Sequence, residues 1–340
     1  VNRADVRRRE RIDRPIKARS DDVYVVTGWR EALYTAAPRV LPVLLLAALA
    51  LAASPYQERV LVLAAVYALL ALSWDLLAAT GLISLGQALF FGLGAYASGA
   101  LNHYWGWPIW LSLPAAAILG GLAGALLLLP VLRLRGIYFA MVTLVLPLIL
   151  VRIVEATGAL GGTEGLSGLS AFPGPGTELW LILFAFAVAL FGLRRLMHSD
   201  YGLVLRALRD DDRALLSDGV DIYRLKLEAL FLAGTIGAFA GAYMTHVYLF
   251  VGMPAFALDY SILPIAAAVV GGVGTLAGPA LGAFLLVPLS EALRSMGSLR
   301  VMVYGVCLVA FVVGLPEGVF PYLRRKYHQV QRWKRVGRDE

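Results

Sequence analysis

The sequence predicts an all-α integral membrane protein, a polytopic bundle of about ten transmembrane or re-entrant helices with one short amphipathic helix on the cytoplasmic side. Three observations carry this expectation. The 340 residues are 59% hydrophobic and only 16% charged, with a mean hydropathy of +0.74, whereas soluble domains devote about a quarter of their residues to charge. Apolar runs long enough to cross a bilayer alternate with short polar breaks from Val40 onward. Lysine and arginine fall almost entirely on every second break, the asymmetry that fixes orientation in a membrane.

Taken in order, residues 1–39 carry ten Lys or Arg, among them Arg7, Arg8, Arg9 and Arg11. A secretory signal would follow such a region at once with an apolar core, but polar sequence continues past Asp22. The segment reads as an uncleaved basic cytoplasmic arm that meets anionic lipid headgroups rather than nucleic acid. Spans follow near residues 40–54, 60–79, 84–101, 109–131, 137–154, 179–197, 227–250, 260–271, 279–293 and 301–316, each tested against the roughly 20 residues that an α-helix needs to cross hydrocarbon. Between residues 260 and 293 the only break is Gly272, Gly274, Gly278 and Pro279. Two spans or one re-entrant element both fit, since irregular backbone at depth must be buried in protein or line a wet cavity.

With both termini inside, the cytoplasmic pieces hold 26 of the 30 Lys and Arg, leaving Arg59, Arg152, Arg294 and Arg300 outside. The chain therefore divides into a basic arm (1–39), a transmembrane domain (40–316) with a charged cytoplasmic loop (199–226), and a basic tail (317–340). Outside, residues 155–178 form a loop dense in glycine and proline, with GGTEGLSGL at 161–169 and PGPG at 173–176, a composition that marks structured but non-helical chain. It is an entrance or a plain connector.

The charged loop contains YGLVLRALRDDDRALLSDGVDIYRLK at 201–226. Arg206, Arg209, Asp210, Arg213 and Ser217 recur at helical spacing on one face, while Leu205, Leu208, Leu215 and Leu216 lie on another. This predicts one amphipathic helix, started by a Ser199 or Asp200 cap and ended by Gly219 in the left-handed conformation. It is either a solvated spacer or a docking helix for a cytoplasmic partner.

Other chemistry is scarce. Cys307 is the single cysteine, so no intrachain disulfide or cysteine metal site forms, and His103, His198, His246 and His328 are scattered. No metal, cofactor or catalytic residue is expected. GLGAYASG (92–99) and GGVGTLAGP (271–279) lack the Lys-Ser/Thr of a phosphate-binding loop; glycines inside spans read as helix contacts. SLGQALFFGLGA and TLAGPALGAFL are faintly alike, a hint of two related halves. Asp75, Glu228, Asp259 and Glu291 lie toward span ends, where snorkelling or interfacial pairing offsets the cost of burying charge.

Five stretches in order, SLGQALFFGLGAYASGAL (84–101), LRLRGIYFAMVTL (132–144), GGTEGLSGL (161–169), the 201–230 island and VVGGVGTLAGPALGAFL (269–285), together resemble the permease subunits of bacterial ABC importers for branched-chain amino acids. The resemblance covers roughly residues 60–316. It implies a multi-pass subunit of the bacterial inner membrane that forms half of a translocation pathway. The implied partners are a homologous permease, giving a heterodimer, two cytoplasmic ATPase subunits and a periplasmic or surface solute-binding protein.

In that family the loop matching Leu205 to Gly219 is the coupling region, which sits in a cleft of the ATPase. The resemblance thus gives Arg206, Arg209, Asp210 and Arg213 polar contacts and makes Leu205 and Leu208 buried anchors. Ser84, Gln87 and Tyr96 bring hydrogen-bonding groups to an apolar span and are candidates for the solute path, with Thr163 and Glu164 at its outer mouth. Two features, Asp75 in SWDLLAATG where many amino-acid members carry Asn and Ile83 before the SLG run, bring the chain nearer to the related urea and short-chain amide permeases, the alternative substrate class. An ion-coupled secondary transporter is the alternative of another class. A membrane-embedded enzyme would want a deep polar reaction centre, which the sequence lacks.

Overall fold

The protein is described by a computed structural model covering residues 46–326, apart from residues 175 and 298. The basic arm, the first six residues of the 40–54 span and the tail beyond residue 326 lie outside the described residues. An N-terminal unit, residues 1–53, contributes a helix over residues 46–52, and a second unit, residues 54–340, holds every element that follows.

Helix α1, Pro55–Ala79, opens on a capping box. Ser54 Oγ accepts from the Gln57 N–H, Gln57 Oε1 accepts from the Ser54 N–H, and Pro55 fills the first helical position, where a missing N–H costs nothing. Then come α2 (Gln87–Trp105), α3 (Ile109–Leu128, continued by a 3-10 turn to Arg133) and α4 (Ile137–Thr157). Strand β1 (Leu166–Ser167), α5 (Thr177–Met197), α6 (Asp200–Asp210), α7 (Asp212–Ser217) and α8 (Ile222–Tyr248) follow. The chain closes with β2 (Phe250–Val251), α9 (Asp259–Gly271), α10 (Ala277–Ala292) and α11 (Leu299–Gly314). Each of the nine expected spans after the first meets one of these helices.

Among the described residues, seven helical segments are long and apolar enough to cross a membrane. Helix α2 is not one of them, because Gln87, Ser98, Asn102 and His103 dilute its hydropathy. It is instead largely enclosed, gripped by α3 and α8, and nearly every residue from Gln87 to Gly94 is buried. The grip is glycine-made. A Cβ on Gly94 would run into the Ala238 carbonyl, and one on Gly241 into the Phe91 carbonyl. With backbones this close, small residues supply the association that lipid, as apolar as leucine, does not drive. Tyr260 of α9 stacks on Phe91 of α2 at 3.8 Å and on Tyr67 of α1 at 5.8 Å, joining α1, α2 and α9.

Helices α9 and α10 form a hairpin. At its open end Tyr56 donates to Glu291 (3.4 Å), and at its tip the Gly274 and Leu276 N–H groups donate to Asp75. Tyr56 and Asp75 lie about 28 Å apart along α1 at 1.5 Å per residue, close to the roughly 30 Å of a hydrocarbon core. The hairpin therefore runs alongside most of α1 and back, as two helices joined by a turn rather than one continuous span. SLGQALFFGLGA and TLAGPALGAFL occupy like places: α2 and α10 both start from turns at the same end of the bundle.

Candidate functional site

The charged island forms two helices, not the single one expected. Asp211 breaks α6 from α7 with an extended backbone (φ −152°, ψ 101°). The face from Arg206 to Ser217 is consequently discontinuous. Ser199 stands at the N-cap, but its hydroxyl donates back to the Leu196 carbonyl (2.6 Å) and caps nothing. Gly219 adopts φ 78° beyond α7, the left-handed turn expected of it.

Leu205 and Leu208 are buried and hold α6 to the bundle, while Arg206, Arg209 and Asp210 are exposed. Arg213 lies on α7; its side chain is outside the described residues. Three braces fix the island. Tyr201 donates to Glu228 (2.9 Å) at the start of α8, and Glu228 also takes Arg224 (3.0 Å). Burial and the Glu228 carboxylate push the Tyr201 phenol well above its ordinary range. Asp212 pairs with Arg135 (3.1 Å) from the turn before α4 and faces Lys226 (3.9 Å). The Arg209 Cα sits 3.3 Å from where a Cβ on Gly81 would stand, directly under the end of α1. A cavity of about 300 Å³ remains between α6 and the 80–82 and 134–136 turns, lined by Arg135, Arg209, Asp212 and Lys226 among others.

Asp75, expected near a span end and within reach of interfacial partners, is fully buried. Its two oxygens accept from the Gly274 N–H (2.5 Å) and the Leu276 N–H (2.9 Å). Bonds to a charged acceptor are the condition under which a buried carboxylate is tolerated. Glu228 and Glu291 do pair at span ends, with Arg224 and Arg294.

The candidate path residues divide. Ser84 is buried and turned to its own loop, its hydroxyl accepting from the Gly86 N–H (3.2 Å) and its carbonyl from the Trp74 indole (2.7 Å). Gln87 is buried against Ser73 (3.1 Å), whose hydroxyl also reaches the Ala233 carbonyl (2.7 Å). One end of the Gln87 amide has no partner among the described residues. Tyr96 lies on the opposite face of α2, its ring stacked on Phe256 at 5.6 Å and its hydroxyl likewise without a described partner. Around Tyr96 gather Leu166, Leu169 and Val251, with Leu150 and Val154 of α4. Thr163 and Glu164 are exposed in the adjoining loop.

That loop is itself locked, by residues that sequence reasoning missed. Asn102 donates to the Trp107 carbonyl (2.8 Å) and the Ser170 hydroxyl (3.0 Å) and accepts from the Ser170 N–H (2.9 Å). His246 Nδ1 lies 2.9 Å from the Ser170 carbonyl, so that nitrogen carries the proton, and Nε2 takes Ser98 (2.9 Å) and Ser112 (3.2 Å). β1 pairs antiparallel with β2, Leu166 opposite Val251. The available signal was the cost of an amide and an imidazole in apolar spans, which a dedicated partner must offset.

Among the described residues, Arg135 and the charged island thus meet at one end of the bundle, and the glycine-rich loop lies at the other. Fold and site define a multi-pass α-helical membrane protein with a charged island braced on the ends of its spans. Over residues 56–312 the chain matches the family described as branched-chain amino acid transport system / permease component, and it belongs to that family. It is similar to the high-affinity branched-chain amino acid transport system permease protein LivM of Escherichia coli strain K12 and of Salmonella typhimurium. Each is 32% identical over 282 residues, covering 72% of this chain and 65% of the relative. A probable branched-chain amino acid transport permease protein LivM of Methanocaldococcus jannaschii is 27% identical, over 72% of this chain and 81% of the relative. The chain thus spans about two thirds of the length of the two bacterial relatives. No solved structure matches it significantly.

Proposed function

We propose that this chain is the permease subunit of an ABC importer for branched-chain amino acids, forming half of the translocation pathway with a homologous permease. It takes ATP-driven motion from two separate cytoplasmic ATPase subunits, and a solute-binding protein delivers the solute to the opposite end. Both termini and the α6–α7 island face the cytoplasm of a bacterial inner membrane. The single observation behind this reading is the bracing of the island. An exposed helix pair fastened to α1, α8 and the turn before α4 cannot be moved without moving those spans, which is what a lever between a motor and a gate requires. Arg206, Arg209, Asp210 and Arg213 form its outer contacts, with Leu205 and Leu208 as anchors and Gly219 as the end of the lever.

On the solute path, Tyr96 with Thr163 and Glu164 forms the outer half, and Ser84 with Gln87 the inner. Buried polar groups with unused hydrogen-bonding capacity suit a route on which solute supplies the missing partner. Asp75 does not support the urea or amide alternative, because both of its oxygens are occupied by backbone N–H groups. The test is Arg209→Glu in the complex with its ATPase. The variant inserts normally, while ATP-driven leucine uptake falls at least tenfold and less ATPase copurifies. Uptake at the wild-type level would end the reading, and uptake by the isolated chain that an uncoupler abolishes would replace it with an ion-coupled transporter.

A further inference from the structure

The hairpin tip, residues 272–276, is an unusual turn. Gly272, Gly274 and Leu276 have φ of 113°, 81° and 58°, and only the two glycines adopt such angles freely. A leucine with φ 58° and ψ −50° is strained, and strain persists only where the surroundings impose it. Thr275 closes the turn internally, donating to the Gly272 carbonyl (2.8 Å) and accepting from the Gly278 N–H (3.0 Å). The Gly274 and Leu276 N–H groups are left pointing the same way, a backbone concavity suited to an anion. Asp75 fills it with one oxygen on each.

Asp75 stands one turn before the end of α1, and the segment just past that end, at Gly81, lies under Arg209 of the island. Arg209 touches the tip as well, with Nη1 3.7 Å from where a Cβ on Gly274 would stand. On the far side of the tip, a Cβ on Gly272 would approach Pro321 Cδ to 2.6 Å, so the chain after α11 backs the same turn. The island therefore bears on two things at once, the end of α1 and the tip of the α9–α10 hairpin. Trp74 and Ala78 of α1 pack on Ala268 just before the tip, and among the hydrogen bonds of the described residues only those of Asp75 join α1 to the tip itself.

We infer that Asp75 is a positioning residue for energy coupling: it latches the hairpin tip to α1, so that a push on Arg209 moves α1, α9 and α10 as one body. The inference rests on the importer reading. Without the latch, apolar packing alone holds the tip to α1, and the turn follows a push on the island less closely than α1 does. The outer surface of α6 and α7 is untouched by changes at Asp75, so the ATPase still binds and still turns over.

The experiment compares Asp75→Ala and Asp75→Asn with wild type in the assembled complex in proteoliposomes. It measures leucine uptake and ATP hydrolysis in the same vesicles, with amide hydrogen exchange over residues 272–276. Alanine removes both acceptors, whereas an asparagine amide keeps one oxygen and sets an NH2 donor against the other N–H. The expected result is ATPase copurification and hydrolysis near wild type, with uptake per ATP reduced at least tenfold in Asp75→Ala and several-fold in Asp75→Asn, and faster exchange at the tip in both. If Asp75→Ala does not assemble, Asp75→Asn decides the matter. Faster exchange with wild-type uptake per ATP overturns the latch. So does loss of uptake and hydrolysis in proportion, which would make Asp75 a folding residue only. If the wild-type complex shows no ATP-driven uptake, it is the importer reading that has failed.

Discussion

Tyr201→Phe removes one oxygen from the joint between the island and α8. The hydroxyl donates to Glu228 (2.9 Å), and Glu228 keeps Arg224 (3.0 Å) after the change, so no charge is stranded. Hydrogen bonds to charged groups contribute about 1.5–3 kcal/mol when buried; the Glu228 side chain is 40% exposed, which brings this one to about 1 kcal/mol. In a chain of this size that is a fall in melting temperature of about 2 °C, measurable by thermal unfolding in detergent. The same contact adds a pH signature. Burial and Glu228 hold the phenol protonated in the folded protein above the pH at which it ionises in the unfolded chain, and a folded pKa raised in this way gives stability that is whole below the unfolded value, near 10, and drains away as pH climbs beyond it. Phenylalanine has no such group. The wild type therefore loses stability between pH 9 and pH 11 faster than the variant, and the gap between them narrows. Equal melting at pH 8 together with parallel alkaline curves would refute the assignment of the Tyr201–Glu228 contact as a brace.

Asn102→Ala deletes three hydrogen bonds around Ser170 and Trp107 and is expected to cost about 2–4 kcal/mol at roughly 1 kcal/mol each, with a stranded Ser170 N–H adding to it; faster proteolysis and amide exchange over residues 166–170 check it. Tyr96→Phe removes only a hydroxyl without a described partner, so melting stays level or rises slightly while leucine uptake falls several-fold. Gln87→Ala lowers uptake in the same assay, and unaltered flux in both variants removes these residues from the path.

Much of this architecture was legible because it follows from local rules. The positions of the apolar helices, the buried Leu205 and Leu208 and the left-handed Gly219 depend on composition and helical spacing within one segment. What escaped depends on distance along the chain. Asp75 meets partners 199 and 201 residues away, and Asn102 and His246 meet Ser170 across 68 and 76. Nothing within a span distinguishes a carboxylate that snorkels from one that fills a distant turn. The break at Asp211 was hidden for a different reason: it contains no glycine or proline, and a run of three aspartates still fits a helical pattern. Asp211 Oδ1 caps α7 by accepting from the Ala214 N–H (3.2 Å), and Asp212 then pairs with Arg135 and Lys226 from two other elements.

The interlocked glycines of α2, α3 and α8 limit how such a molecule can change shape. With Gly94 seated on the Ala238 carbonyl and Gly241 on that of Phe91, a shift of either helix by a single residue would drive a side chain into a peptide oxygen. This trio cannot slide and can only be carried along whole. On the importer reading, a push on the island that moves α8 therefore takes α2 and α3 with it, whereas α4, α5 and α11, which bury the least of their length, form a loosely held perimeter free to move apart from that trio.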